Sequence, residues 1–230
     1  MSTAPTARDI ARADMTERIK TIARAHLASD GPDLSLRAVA RELGVVSSAV
    51  YRYFASRDEL LTALIIDGYD SMGEAAERAD AAVPRRDLMG RWMALGRAAR
   101  AWSRDRPAEY ALLYGTPIPG YAAPQDTVPS AQRVLLVAVG VVRDGVEKGV
   151  VPTPADRLPK AVRADFARVA SYPGFEGLPP TVLGRLMSVW AQLFGTLSFE
   201  LFGRYTGAVL DLDAFFEHEL RTMARHIGLL

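Results

Sequence analysis

The amino-acid sequence predicts an all-α protein, with a small helical domain at the N-terminus and a larger helical domain after it. Apolar residues recur at steps of three and four along most of the chain, which is the spacing of one face of a helix. Proline and glycine interrupt these segments, as in SDGPD at 29–33, and mark the connections between helices. With 230 residues, of which 49% are hydrophobic, the chain can bury a large core.

The composition excludes several classes of protein. The longest apolar run, 134–142, is about half of the roughly 20 residues that a membrane span requires, so no membrane partner is expected. The N-terminus lacks the apolar core of a secretory signal and the chain has no cysteine, which favours a cytoplasmic location. A net charge of +1 gives no overall attraction to nucleic acid, so such a role requires a local basic patch.

The N-terminal segments predict a flexible arm over 1–8 and a helix over 9–28. Ser35 is the expected N-cap of a second helix that ends at Gly44. A third short helix is predicted over 47–54. Ser56 and Glu59 form a capping box that opens a fourth helix, which continues to about residue 82.

The remaining segments predict five further helices. A fifth helix starts at Leu88 and ends before Pro107, and 107–130 is predicted as one helical turn followed by an ordered loop. Ser130 is the expected cap of a valine-rich helix that runs to Gly149, with a β-strand as the competing interpretation of its centre. A modest helix follows around 161–170. Two final helices carry heptad-like seams after Pro179 and Pro180.

Residues 35–54 have the steric plan of a helix-turn-helix. Ala40 lets two helices approach closely, Gly44 supplies the freedom of the turn, and Val50 packs the second helix down. Four polar side chains then point away from the core: Ser47, Ser48, Tyr51 and Arg52. An ordinary helical hairpin is the alternative, but small polar residues at the start of a helix suit the major groove of DNA. Between residues 35 and 57 there are four arginines and one glutamate, which is the required basic patch.

The stretch LSLRAVARELGVVSSAVYRYFASRDELLTALI resembles the DNA-binding region of TetR-type transcriptional regulators. The matching elements are Ala40 to Val45 in the turn, YRYF at 51–54 and Ser56 to Leu60 at the entry to the fourth helix. Val46 departs from the capping serine or threonine that is common there, and Ser47 is expected to take over the cap. The residues that the resemblance and the groove argument together place on DNA are Ser35, Arg37, Ser47, Ser48, Tyr51, Arg52, Tyr53 and Arg57.

The C-terminal part resembles an actinobacterial-type subgroup of that family, in which a tryptophan is often followed by His-Gly. In VWAQLFGTL the tryptophan is Trp190, but Phe194 precedes Gly195 in place of histidine. The resemblance implies an all-α fold with an N-terminal three-helix helix-turn-helix DNA-binding domain and a larger C-terminal ligand-binding and dimerisation domain. The expected boundaries are 1–8 for the arm, 9–55 for DNA binding, 56–84 for a connecting helix and 85–230 for the C-terminal domain.

The resemblance also implies a homodimer on a palindromic operator and a small, largely apolar effector in the C-terminal domain. The two seams suit a four-helix interface between two copies, with plain core as the alternative for each residue. The expected interface residues are Met187, Phe194, Leu197, Leu201, Phe216, Leu220, Met223 and Ile227. The aromatic residues that could surround an effector cavity, or simply fill the core, are Trp92, Trp102, Tyr110, Tyr114, Phe166 and Trp190.

Two other functions compete with a ligand-responsive repressor. An enzyme is disfavoured because His26, His218 and His226 are scattered, and the chain has no Glu-x-x-His pair, no G-x-S-x-G elbow and no phosphate-binding glycine loop. No cofactor or metal is expected. A DNA-binding regulator that responds to a protein partner and not to a ligand is the closer alternative, and activation in place of repression also stays open.

Overall fold

The computed structural model describes residues 6–31, 34–153 and 158–230. Over these residues the chain forms α-helices, one short 3-10 helix at Gln125–Thr127 and no β-strand, which confirms the predicted all-α fold. The valine-rich segment is helical, so the strand interpretation is wrong. The helices are α1 Ala7–Asp30, α2 Leu36–Glu42, α3 Ser47–Val50, α4 Arg57–Ala81, α5 Leu88–Asp105, α6 Pro107–Tyr114, α7 Val128–Glu147, α8 Lys160–Val169, α9 Pro180–Leu201 and α10 Leu212–Ile227.

The chain divides into two compact units. The first contains Met1–Tyr69 and Arg106–Val128, and the second contains Asp70–Asp105 and Pro129–Leu230. The boundary falls within α4, after Tyr69. This division differs from the predicted linear order of domains, because residues 106–128 group with the N-terminal helices.

Several predicted helix boundaries were wrong, and the single helical turn predicted after residue 106 is the 8-residue helix α6. Helix α1 begins at Ala7, because a capping box between Thr6 and Asp9 satisfies its first amide groups, so residues 7 and 8 are not part of an arm. The rest of that predicted arm, 1–5, lies outside the described residues. Helix α7 begins at Val128, two residues before the expected cap, since a proline at position 129 needs no hydrogen bond in a first turn. Helix α3 ends at Val50, and two turns continue the chain to residue 54.

The core of the first unit is built by α1, α2, α3 and the first part of α4. Val39, Ala40 and Val50 are fully buried where α2 meets α3, as the helix-turn-helix pattern predicts. Asp67 of α4 pairs with Lys20, with its oxygen 2.8 Å from the Lys20 Nζ, and with Arg24 of α1. Other buried members of this core are Ile19, Ala23, Leu27, Leu34, Leu36, Phe54, Leu60, Leu61, Leu64 and Ile118.

The second unit is a helical bundle in which α9 packs against α5, α8 and α10. The buried stripe of α9 runs through Leu186, Val189 and Leu193. Trp92 of α5 is buried, and its indole N–H donates a hydrogen bond of 2.9 Å to the carbonyl oxygen of Leu220 in α10. Among the described residues no helix is long and apolar enough to cross a membrane.

Candidate nucleic-acid interface

The turn between α2 and α3 is held by backbone hydrogen bonds. The amide of Gly44 donates to the carbonyl of Arg41 at 3.2 Å, and the amide of Val45 donates to the carbonyl of Ala40 at 3.0 Å. Gly44 has a φ of 71°, in the left-handed region that glycine adopts without steric cost. The turn therefore fixes the direction in which α3 leaves α2.

The outward side of α3 and of the turn that follows it carries three of the predicted DNA contacts. Val50 and Phe54 are buried in the core of the first unit and anchor one side of this segment. Ser48, Tyr51 and Arg52 are exposed, and 44% of the Tyr51 surface is accessible. The exposure on which the groove argument depends is thus present, and the contacts with DNA themselves stay a prediction.

The N-terminus of α3 is capped differently from the expectation. Val46 occupies the N-cap position with extended backbone angles, and no side chain accepts a hydrogen bond there. Ser47 is the first residue of the helix and is half-buried, so the expectation that Ser47 takes over the cap was wrong. An N-cap residue precedes the first helical residue, and Ser47 is itself that first residue, so it stands one position too late to act as the cap.

Three further predicted DNA contacts come before and after α3 in the chain. Arg37 is exposed on α2, and Ser35 precedes it as the N-cap, with its hydroxyl accepting from the Ala38 amide at 3.4 Å. That hydroxyl still has a proton to donate to a phosphate oxygen. Arg57, at the start of α4, is half-buried, with its guanidinium 3.7 Å from the carboxylate of Asp58.

Tyr53 lies partly buried against the core of the first unit. The guanidinium carbon of Arg12, from α1, lies 5.4 Å from the centre of the Tyr53 ring, a cation–π distance. Sequence reasoning missed Arg12. Its only signal was a basic side chain near the start of the first helix, and nothing local showed that this end of α1 lies beside the recognition helix.

The single acidic residue between positions 35 and 56 is held away from α3. The Glu42 carboxylate lies 2.7 Å from Nε2 of His26, on α1. Arg37 and Arg41 both lie on exposed positions of α2, four residues apart and therefore on one side of that helix. The basic character of the motif is thus concentrated on exposed side chains.

Comparisons with known proteins agree with this geometry. A family described as "Bacterial regulatory proteins, tetR family" matches residues 21–64, and one described as "Tetracyclin repressor-like, C-terminal domain" matches residues 92–223. The HTH-type transcriptional regulator Rv1816 of Mycobacterium tuberculosis is 37% identical over 216 residues, which cover 93% of this chain and 92% of that protein. The chain belongs to the TetR family of transcriptional regulators.

Solved structures of other proteins show the same fold. The crystal structure of the regulatory protein SCO4313 matches with a TM-score of 0.76 and 34% identity, over 96% of this chain and 98% of that one. PfmR, a TetR family regulator from Thermus thermophilus, matches with a TM-score of 0.59 at 16% identity, over 90% of this chain and 97% of PfmR. The chain is therefore a transcriptional regulator with a DNA-binding helix-turn-helix.

Most of the predicted interface residues lie in the core of the second unit. A buried side chain offers no surface to a second copy. The heptad-like spacing of the two seams therefore reflects the packing of α9 against α10 within one chain. Met187 alone of the eight is exposed, and Leu201 is half-buried. The buried members of the set are Phe194, Leu197, Phe216, Leu220, Met223 and Ile227.

The apolar side chains that α9 does expose lie on another face. They are Met187 and Phe199, with 36% and 52% of their surface accessible, and Phe202, the C-cap that follows the helix, is 45% accessible. Ala191 and Gly195 lie between Met187 and Phe199 at intervals of four residues, which places these four on one side of the helix, and Phe202 follows at its C-terminal end. We call these five residues the outer face of α9.

The predicted effector-pocket residues divide between the two units. Tyr110 and Tyr114 lie in the first unit, with ring centres 5.1 Å apart, and burial raises the pKa of the Tyr114 hydroxyl far above its ordinary value. In the second unit Trp102 is buried, and its indole N–H donates to the Ser71 hydroxyl at 3.0 Å. Trp92 is also buried, and Trp190 packs against Phe194 with 4.5 Å between ring centres.

An open groove of about 530 Å³ lies in the second unit between α8, α9 and α10. Of the predicted pocket aromatics in this unit, Phe166 lines it. No group of three potential metal ligands occurs among the residues that the structure describes. The groove lining is Leu158, Val162, Phe166, Thr181, Gly184, Arg185, Met187, Ser188 and His226.

Proposed function

We propose that this TetR-family regulator is a repressor that binds a palindromic operator as a homodimer and leaves it when a small, largely apolar ligand binds the second unit. The exposure of Ser48, Tyr51 and Arg52, on α3 and the turn that follows it, carries the DNA-binding part, since Val50 and Phe54 are buried on the other side. Ser47 and Tyr53 would contribute from the edges of that face. Repression would follow from occupying DNA that polymerase needs, in the cytoplasm.

Dimerisation would give the recognition helix its affinity. One short helix reaches only a few base pairs, whereas two helices on a two-fold axis read two half-sites, and the second binds at high effective concentration. The outer face of α9 is the proposed interface. Large apolar side chains exposed on one face of a helix are typical of contact surfaces, and a Cβ added at Gly195 would meet no atom within 4 Å, so a second helix can approach closely.

The groove between α8, α9 and α10 is the proposed ligand site. Its volume is within the range of small-molecule pockets, and Leu158, Val162 and Phe166 give it an apolar wall. Ligand binding changes DNA affinity only if the ligand binds the DNA-free arrangement more tightly than the DNA-bound one. The effector would therefore favour a separation of the two recognition helices that does not fit successive major grooves.

Tyr51→Ala tests the DNA-binding part of this proposal. The substitution removes one groove contact from an exposed position, so we expect operator affinity to fall by about fivefold to a hundredfold, with folding and dimerisation unchanged. Fluorescence anisotropy would measure the affinity, and sedimentation velocity the assembly. Tyr172→Ala is the matched control, because Tyr172 is equally exposed (45%) but lies in the second unit. Equal affinities for the two variants would contradict the proposed recognition face.

Val162→Trp tests the ligand site. Small molecules that copurify with the protein would first be identified by native mass spectrometry and added back in a DNA-release assay. An indole at position 162 fills the groove, so the releasing concentration should rise by about tenfold or more while operator affinity is kept. Ala164→Trp is the control, since it lies exposed on the same helix and does not line the groove. Release that is equally sensitive in both variants would place the ligand elsewhere.

A further inference from the structure

Val46 stands at the N-cap of the recognition helix, a position at which a polar side chain normally accepts a hydrogen bond from the first turn. A valine cannot make that bond. Its side chain therefore contributes nothing to the start of α3, and the exposed apolar surface is unfavourable in water. Val46 therefore presents an apolar side chain with no capping role at the start of the recognition helix.

The backbone directs the Val46 side chain outward. Val45 packs partly buried against the core of the first unit, and Val46 has extended angles of −69° and 144°. The side chain of Val45 is anchored against the core while that of Val46 is exposed, so the two neighbouring side chains point in different directions. With 72% of its surface accessible, Val46 is the most exposed large apolar residue that the structure describes in the first unit.

The chemistry of the major groove offers an apolar branched side chain one partner. Base edges present hydrogen-bond donors and acceptors, which valine cannot use, and thymine alone adds a methyl group at C5. The residues at the start of a recognition helix are those that reach base edges. Valine also has a restricted side-chain rotamer, so its methyl groups would be held in one place.

We infer that Val46 reads a thymine in each operator half-site through contact with the C5 methyl group. The inference rests on the proposed operator binding and adds a determinant of base specificity to it. Val46 supplies only apolar contact, so it distinguishes thymine from bases without the methyl group and makes no use of the hydrogen-bonding groups.

Uracil substitution tests the contact, because uracil differs from thymine only by the missing methyl group. Duplexes selected from a random library by the wild-type protein would be resynthesised with each thymine pair of the two half-sites replaced in turn. At one position the wild-type affinity should fall by about fourfold per half-site, the effect of one buried methyl group. Wild-type affinity that is unchanged by every replacement would overturn the inference.

Val46→Ser assigns the effect to this residue. Serine removes both methyl groups and supplies the missing cap, so the variant should fold at least as well as the wild type, as circular dichroism would show. Its affinity should be the same for the thymine and uracil duplexes. Val150→Ser, an exposed valine of the second unit, should retain the wild-type difference. A uracil effect that persists in Val46→Ser would overturn the inference.

Operator binding and the reading of thymine by Val46 can be rejected separately. If the selection yields no preferred duplex, the proposed operator binding fails, and the reading of thymine fails with it. If a preferred duplex is found and only the uracil experiments give no difference, operator binding stands and the role of Val46 is rejected.

Discussion

Arg91 is buried in the second unit and keeps its charge through two carboxylates. Its Nε donates to Asp80 at 2.7 Å, and its Nη1 donates to Asp144. Burial by itself would lower the pKa of Arg91, but the hydrogen bonds to Asp80 and Asp144 outweigh that effect and raise it. Since a buried charge must be paired, this network joins α4, α5 and α7 in one arrangement.

Replacing Asp144 tests how strongly the second unit depends on this network. In Asp144→Ala the buried guanidinium loses one of its two carboxylates, so the free energy of unfolding should fall by about 3 kcal/mol. Urea denaturation followed by circular dichroism measures it. Arg85→Ala is the control, because the exposed guanidinium of Arg85 also pairs with Asp144, at 2.9 Å. An ion pair with an exposed partner contributes less than about 1 kcal/mol to the free energy of unfolding. Similar losses of unfolding free energy in the two variants would contradict the expectation that the buried partner of Asp144 stabilises the protein more than the exposed one.

At the scale of helices, close packing of α5 on α10 depends on one glycine. A Cβ added to Gly96 would overlap the side chain of Leu220, which is itself fully buried. In most helices glycine is less favourable than alanine, by about 1 kcal/mol. Here the absent side chain is what allows the two helices to approach.

Gly96→Ala should therefore destabilise the protein by about 1 to 3 kcal/mol, because the added methyl group overpacks the core against Leu220. Gly140→Ala is the matched control within α7. A Cβ there would meet nothing within 4 Å, so alanine should stabilise the protein by about 0.5 to 1 kcal/mol. Thermal unfolding of both variants would show opposite shifts. Shifts of the same sign would mean that helix propensity outweighs the packing at Gly96.

The helices could be predicted from the sequence, but the partners of their faces could not. Spacing of apolar residues and breaks at proline and glycine are local features, so most helices were located correctly. The apolar stripe of α10 was assigned to a second copy, although Phe216 and Leu220 pack within one chain. Periodicity shows that a face is covered and does not show what covers it. The helix-turn-helix was easier, because its turn, its buried side and its exposed side are all within about twenty residues.

At the scale of the whole molecule, the grouping of residues 106–128 with the N-terminal helices was not predictable. The proline-rich composition of this segment indicates a loop, yet Ile118 is buried in the core of the first unit. The hydroxyl groups of Tyr121 and Thr62 form a hydrogen bond of 2.9 Å, which attaches the same loop to α4. Both contacts join residues far apart in sequence, and no local pattern encodes them.

The assembly of two chains is tested by a charge in the middle of the outer face of α9. Ala191 is exposed, and arginine is nearly as good a helix former as alanine, so Ala191→Arg should leave the folded chain intact. If two copies pack through this face, each dimer would bury two unpaired guanidinium groups. The dimer dissociation constant should then rise by about a hundredfold or more.

Sedimentation velocity over a range of protein concentrations measures the dimer dissociation constant of Ala191→Arg. Ala101→Arg is the control, because it places the same charge on an exposed position of α5. Only the first variant should become monomeric. Its affinity for a two-half-site operator should fall as well, while its affinity for a single half-site should match that of the wild type, because the recognition helix is unaltered. If Ala191→Arg still forms the dimer, the two chains do not pack through the outer face of α9, and the exposed Phe199 and Phe202 serve some other contact.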